Sequence, residues 1–304
     1  MIAIAGLLLA GVALAVPVTA APLNDLAKCS KAAGDEAIYA CTRTIESGKL
    51  QGRDLAVMHA RRGLEWSRQG EHELASTDYG QAIRLNPKEA LAYNGRGLMH
   101  HAKGDVDRAI ADFTQAIRLG PKLAFGYNNR ANAYRSKGDS DRALGDYNQA
   151  IRLNSKFGSA YFGRGNAYRA KGDNDRALAD YTLAIRLGPK LAYAYSSRAG
   201  VHRAKGDNDR AIADYTKAIE LDPTLAYAYN NRGLTYLKLD RLDRAAADFD
   251  AALKLDPEHA AALYGRGTVK LKRGDATGGD ADIAAAKALN SNIAEEFTRL
   301  SGRN

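Results

Sequence analysis

From Ala56 onwards, small and aromatic residues return at fixed offsets every 34 residues. Seven units follow one another: 56–89, 90–123, 124–157, 158–191, 192–225, 226–259 and 260–293. With the first residue of each unit as position 1, position 8 is Gly or Ala throughout: Gly63, Gly97, Ala131, Gly165, Ala199, Gly233 and Gly267. Position 20 is Ala in six units and Gly279 in the last, and position 27 is Ala in all. Position 24 is aromatic from Tyr79 to Phe249 and Ile283 in the last unit. Positions 4, 8 and 11 fall on one face of a helix, and 20, 24 and 27 on one face of a second. The spacing therefore predicts a helical hairpin per unit. A helical Gly costs about 1 kcal/mol relative to Ala, so its return at position 8 implies two backbones in close approach. The expected contacts are small 8 against small 20 and aromatic 4 against aromatic 24.

The stretch AKGDNDRA, at 170–177 and again at 204–211, is the turn of that hairpin. Position 15 is Gly in six units, and Asp follows it in all but the first of these. Gly ends the first helix and Asp can cap the second. Pro at position 32, in five units, stops the second helix. The Asp-x-Asp lacks the Gly and distal Glu that a calcium loop needs, and no metal site is expected.

The period and the residue columns resemble the tetratricopeptide repeat over about 56–293. Position 4 is mostly Tyr where that pattern has Trp, and position 7 is Arg where it has Leu. The resemblance implies an all-α fold: an α-solenoid, a right-handed superhelix of stacked hairpins, in which each hairpin buries its faces against its neighbours.

The ends read differently. Residues 1–22, MIAIAGLLLAGVALAVPVTAAP, carry no charged side chain. They read as an export signal cleaved after Ala20, with an uncleaved membrane anchor as the alternative, since no Lys or Arg precedes the apolar run. The mature chain is then periplasmic or secreted. Cys29 and Cys41 are the sole cysteines, and export with an even count suggests one disulfide. Residues 21–55 read as a degenerate terminal repeat. Counting back from Ala56 puts Cys29 at position 8 and Cys41 at 20, while a rival register slides Cys41 to 24. Residues 294–304 read as a C-terminal capping segment.

Position 7 is Arg and position 23 is Asp in all seven units. Equal numbers in fixed register point to internal Arg–Asp pairs rather than to a ligand-binding column. Net charge is uneven. The units at 90–123, 124–157 and 158–191 carry +2, +3 and +3 of a chain total of +9, which biases partners towards anions.

The family resemblance implies a concave groove lined mainly by first-helix positions 2, 5, 9, 12 and 13. The first four supply Phe125, Tyr193 and Tyr227; Asn94, Asn128, Phe162 and Asn230; Asn132 and Asn166; and Arg135, Arg169 and Arg203. Amides, rings and guanidiniums suit an extended peptide, with an acidic or C-terminal segment favoured. Lys at position 5, which the carboxylate clamp of chaperone-binding members requires, is absent. Trp66 and His100, both at position 11, read as structural. The sequence carries no Gly-x-Ser-x-Gly, P-loop or dinucleotide fingerprint. The expectation is an exported, non-enzymatic scaffold without a cofactor. Polyanion or nucleic-acid binding through the basic central units is the alternative.

Overall fold

The structure is a computed structural model that describes residues 23–301; the expected signal segment and its cleavage site lie outside the described residues. The described residues form seventeen helices and no strand. They divide into two compact units, within 1–121 and 122–304.

The first unit holds three hairpins: α1 (Leu23–Lys31) with α2 (Gly34–Glu46), α3 (Gly52–Arg68) with α4 (His72–Leu85), and α5 (Ala90–Ala102) with α6 (Val106–Leu119). The second holds five: α7 (Ala124–Ser136) with α8 (Ser140–Leu153), α9 (Gly158–Ala170) with α10 (Asn174–Leu187), α11 (Ala192–Ala204) with α12 (Asn208–Leu221), α13 (Ala226–Lys238) with α14 (Leu242–Leu255), and α15 (Ala260–Lys272) with α16 (Ala276–Leu289). A single helix, α17 (Ile293–Ser301), closes it. Within each unit successive hairpins stack on one another. From the second full repeat on, the first helix spans positions 1–13 and the second 17–30, as the pattern predicts. Asp105, Asp139, Asp173, Asp207 and Asp275 cap the second helices by accepting the backbone N–H three residues on. The second Asp of the turn has its own partner. Lys171 reaches back to Asp141 of the preceding turn, and Lys205 to Asp175.

The aromatic column has a seat that the pattern only half anticipates. Small 8 does meet small 20 at the two ends of the array, where a methyl group on Gly63 would lie 3.2 Å from the Ala75 carbonyl oxygen, and one on Gly267 would lie 2.8 Å from that of Gly279. Between them the ring of position 24 fills the space. A methyl group on Gly165 would meet Tyr181 Cε1 at 2.8 Å. The far side of such a ring lies against position 6 of the next repeat: Gly95 faces Tyr79, Gly163 faces Tyr147 and Gly265 faces Phe249. Tyr147, Tyr181 and Phe249 are fully buried in this way. The tyrosines of position 4 pack against the clusters that hold these rings, as Tyr127 and Tyr229 do, and serve a further purpose. Tyr161, Tyr195 and Tyr229 carry the guanidiniums of Arg164, Arg198 and Arg232 at 5.4, 5.7 and 5.8 Å from their ring centres.

The Arg–Asp columns pair in all seven repeats, Arg Nε to Oδ2 and Nη2 to Oδ1, at 2.7–2.9 Å. The third arm reaches position 25 of the preceding repeat. Arg164, Arg198, Arg232 and Arg266 donate to Asn148, Thr182, Thr216 and Asp250. One side chain thus ties its own hairpin together and holds the hairpin before it.

In the first hairpin the register counted back from Ala56 fails for the second helix. The turn is only Ala32-Ala33, one residue shorter than the three-residue turns of the other hairpins, so α2 starts early at Gly34. Aligned on that start, Ala37 takes position 20 and Cys41 position 24, the place of the missing aromatic. The sulfurs of Cys29 and Cys41 sit at bonding distance, 2.00 Å, and pack with Ala40 and Met58. Arg43 and Asp25 form a two-pronged pair with the charges exchanged between the helices. At the other end, α17 begins at Ile293, one residue before the expected boundary. It buries Ile293 and Phe297 against the last hairpins, with Phe297 4.7 Å from the ring of Tyr264.

Candidate peptide groove

In the second unit the first helices of three successive repeats, with α12 and α13, enclose an open cavity of about 670 Å³. Seven of the residues singled out from the sequence line it: Arg135 from α7, Phe162, Asn166 and Arg169 from α9, Tyr193 and Arg203 from α11, and Tyr227 from α13. They reach one place because they hold equivalent positions on stacked helices, and equivalent positions line up along a solenoid.

Other residues from the same set lie elsewhere. Asn94 belongs to the first unit, where it borders a smaller, mainly apolar pocket of about 380 Å³ beside Val57, Leu64, Leu91 and Leu98. Asn128 and Asn230 are 6% and 4% exposed and lie beneath the helix surface. Phe125 is half-buried and Asn132 lies outside the cavity wall.

Of the position-24 tyrosines, Tyr215 lines the cavity, while Tyr147 and Tyr181 lie buried beneath the groove. Tyr147 donates to Asn132 Oδ1 at 2.6 Å and Tyr181 to Asn166 Oδ1 at 2.8 Å. The amide oxygens of these asparagines are therefore engaged within the repeat. The next repeat breaks this pattern. Position 9 is Gly200, so no amide covers the Tyr215 hydroxyl; a methyl group on Gly200 would lie 3.7 Å from that hydroxyl and 3.6 Å from Arg169 Nη1, and Arg203 takes the place of the amide as the hydroxyl's partner. The break was visible in the sequence as Asn132, Asn166, Gly200. Its meaning needed Tyr215, fifteen residues away on the partner helix.

The position-12 arginines lie beside these tyrosines. Arg135 and Arg169 make no ion pair among the described residues, unlike every arginine of position 7. Burial pushes the Tyr181 hydroxyl up to about 12, against the opposing pull of Arg169 and Arg135. Burial likewise raises Tyr215, with Arg203 and Arg169 opposing it. These hydroxyls stay neutral hydrogen-bond donors at physiological pH. Above them stand the rings of Tyr193 and Tyr227, stacked 6.0 Å apart at 19° between their planes. Tyr193 is 56% exposed. Ser196 is 4% exposed and lines the cavity beside Tyr227.

Models described as "Tetratricopeptide repeat" match residues 61–124, 128–192 and 226–259, and one described as "TPR repeat" matches 199–240. No curated protein matches the sequence. Among solved structures, YrrB, described as a TPR protein with an unusual peptide-binding site, is 26% identical over 62% of this chain and 97% of its own, with a TM-score of 0.50. A tetratricopeptide repeat protein from Parabacteroides merdae is 20% identical over 82% of this chain and 99% of its own, at a TM-score of 0.60. The Cut9–Hcn1 complex gives 17% identity and a TM-score of 0.69 over 87% of this chain and 52% of the matched one. With two helices per 34 residues, stacked hairpins and these matches, the chain belongs to the tetratricopeptide repeat family, a fold of protein-interaction scaffolds.

Proposed function

We propose that this protein is an exported, non-catalytic scaffold that binds an extended peptide segment in the groove of its second unit, with acidic or C-terminal segments preferred. The observation that carries this reading is the cavity itself. Four successive repeats bring Arg135, Arg169 and Arg203 together with Phe162, Tyr193 and Tyr227. Guanidiniums beside half-exposed rings recognise a ligand that is both anionic and amphipathic. The peptide-binding site named for YrrB agrees with such use of the fold. Residues 1–20 act as the export signal, and the Cys29–Cys41 pair suits an oxidising compartment. The terminal hairpin α1/α2 and helix α17 act as end caps, which solenoids require because their last repeats lack a neighbour.

A photo-crosslinking residue placed at Tyr193 tests the groove, with the same residue at exposed Arg186, on the second helix of the preceding repeat, as control. The expected result is a defined polypeptide adduct from Tyr193, absent from Arg186 and lost when Arg135, Arg169 and Arg203 are changed to Ala. Equal adducts from both positions would overturn the reading. Capture of nucleic acid, with affinity falling steeply as salt rises, would favour the polyanion alternative.

A further inference from the structure

Three repeats hold a tyrosine ring at position 11 that the second full repeat lacks. The Tyr134 ring centre lies 5.9 Å from the guanidinium of Arg130, at position 7, and 4.5 Å from that of Arg142, at position 19. Tyr168 lies likewise 5.9 Å from Arg164 and 5.5 Å from Arg176, and Tyr236 lies 5.7 Å from Arg244. Both faces of a ring are negative, so guanidiniums on either side of it are attracted. The second full repeat keeps both cations, Arg96 and Arg108, but its position 11 is His100. The smaller imidazole turns to Asp112, with Nε2 3.7 Å from Oδ2. An open slot of about 430 Å³ results, lined by Arg96, His100, Arg108, Ala111 and Asp112.

Arg130 and Arg164 each lie between the rings of positions 4 and 11. Arg96 has Tyr93 on the position-4 side, at 5.7 Å, and the slot on the other. Position 25 of the repeat before it is Gly80, which offers no side chain. The other histidine of position 11, His202, differs here, because its Arg198 is held by Thr182. Arg96 is accordingly the most exposed arginine of its column. The ion pairs of Arg96 with Asp112 and of Arg108 with Asp105 do not compete with a ring. Arg130 and Arg142 keep the same pairs and flank Tyr134 as well. The sister repeats thus show what fills such a slot, which is a phenol ring.

A ring to fill it stands on the same face. Aligned on the start of α2, Tyr39 takes position 22, and Ala111 of the slot is position 22 two repeats on. Equivalent positions line up along a solenoid. Tyr39 is 65% exposed, more than any other large hydrophobic side chain among the described residues. Glu36, one turn before it, stays exposed beyond its pair with Lys28. A carboxylate beside a ring complements a slot walled by two guanidiniums. Ring and slot belong to one compact unit, which suits a two-fold pairing, where each copy offers the same patch to the other.

We infer that the slot at Arg96, His100 and Arg108 receives the Tyr39 ring of a second copy of this chain, with the reciprocal contact completing a two-fold dimer. The inference concerns the first unit and does not depend on the groove.

His100→Tyr fills the slot from within, as Tyr134 does in its own repeat, and Tyr39→Ala removes the exposed ring. Sedimentation velocity over a wide range of concentration reads the association. The wild type should show a reversible monomer–dimer equilibrium. Each single variant should raise the dimer dissociation constant at least about tenfold, with helicity and melting retained. Mixing the two variants should restore association in part, because Tyr39 of the H100Y chain still finds the open slot of the Y39A chain. The double variant Y39A/H100Y should restore none with either. A monomeric wild type, loss in only one single variant, or a mixture no more associated than its components would overturn the proposal. If the wild type is monomeric but N-acetyltyrosinamide shifts the His100 ring resonances, the slot takes a ring from another polypeptide and the pairing of copies is wrong.

Discussion

Arg164 and Asp180 grip each other at two points, Nε to Oδ2 and Nη2 to Oδ1, both at 2.7 Å, while Arg164 Nη1 donates to Asn148 of the preceding repeat, also at 2.7 Å. The Asp180 side chain is 4% exposed. Removing the arginine strands a buried carboxylate, a loss of about 3–5 kcal/mol. Arg164→Ala should therefore unfold at markedly lower denaturant concentration. The R164A/D180A double variant should recover part of the loss, because no charge is then left uncompensated. Additive losses in the two single variants, measured by urea unfolding, would refute a coupled pair.

The same ladder makes the fold sensitive to acid. Burial pushes the Asp78 carboxyl up, but hydrogen bonds from His59 and Arg62 outweigh it and hold it below the ordinary carboxylate value. Asp282 behaves alike: burial raises it, and Arg266 and Lys270 more than offset that. A carboxyl lowered in the folded state adds stability above its unfolded value, about 3.9, and that stability is lost as pH falls through the lowered folded value. Thermal melting should thus fall steeply below about pH 4. Asp78→Asn should melt lower at neutral pH and show a shallower acid slope, read by circular dichroism from pH 7 to pH 2.5.

The cysteine pair closes a loop with a sequence separation of 12, for which the chain-entropy picture gives about 3 kcal/mol. Native, unreduced protein should resist alkylation at both Cys29 and Cys41. Reduction should loosen the first hairpin selectively, because each repeat of a solenoid contacts only its neighbours. Hydrogen exchange of residues 23–46 is the readout. Unchanged protection there after reduction would mean that the pair does not staple the hairpin.

Exported protein should begin near Ala21, and an intact mass measurement decides this. A full-length chain recovered in the membrane fraction would instead support an anchor.

What the sequence made legible followed from repetition. Helix bounds, turn caps and the Arg–Asp pairing all recur in fixed register, so one local argument applied seven times. What it hid were contacts between unlike columns. Position 6 looks variable, running Arg61, Gly95, Asn129, Gly163, Ser197, Asn231, Gly265. Its glycines make sense only against the ring of the repeat before. Of the two registers open for Cys41, the one counted back from Ala56 fails for a related reason. A two-residue turn shifts α2 within its hairpin, and a register carried back from later repeats cannot sense a deletion. In the groove, position alone marked Asn128 and Asn230 as candidates, but it could not show that both are buried.

Two glycines of neighbouring helices should respond to the same substitution with opposite sign. Gly145 sits within α8 with no neighbour close to where a methyl group would go. Gly145→Ala should stabilise the protein by up to about 1 kcal/mol, the gain in helix propensity. Gly163 sits within α9, and a methyl group there would lie 2.5 Å from Tyr147 Cζ. The propensity gain is the same, but the ring is fully buried and anchored by its hydrogen bond to Asn132, so it cannot swing aside. Overpacking of this kind costs about 1–3 kcal/mol, and Gly163→Ala should be destabilising overall. Shortening the ring separates propensity from packing. In a Tyr147→Leu background, itself less stable, the penalty of Gly163→Ala should shrink or reverse, while Gly145→Ala should keep its gain. Urea unfolding of the two double-mutant cycles reads the coupling. An equal effect of Gly163→Ala in both backgrounds would show that the close seat of Tyr147 does not account for the glycine.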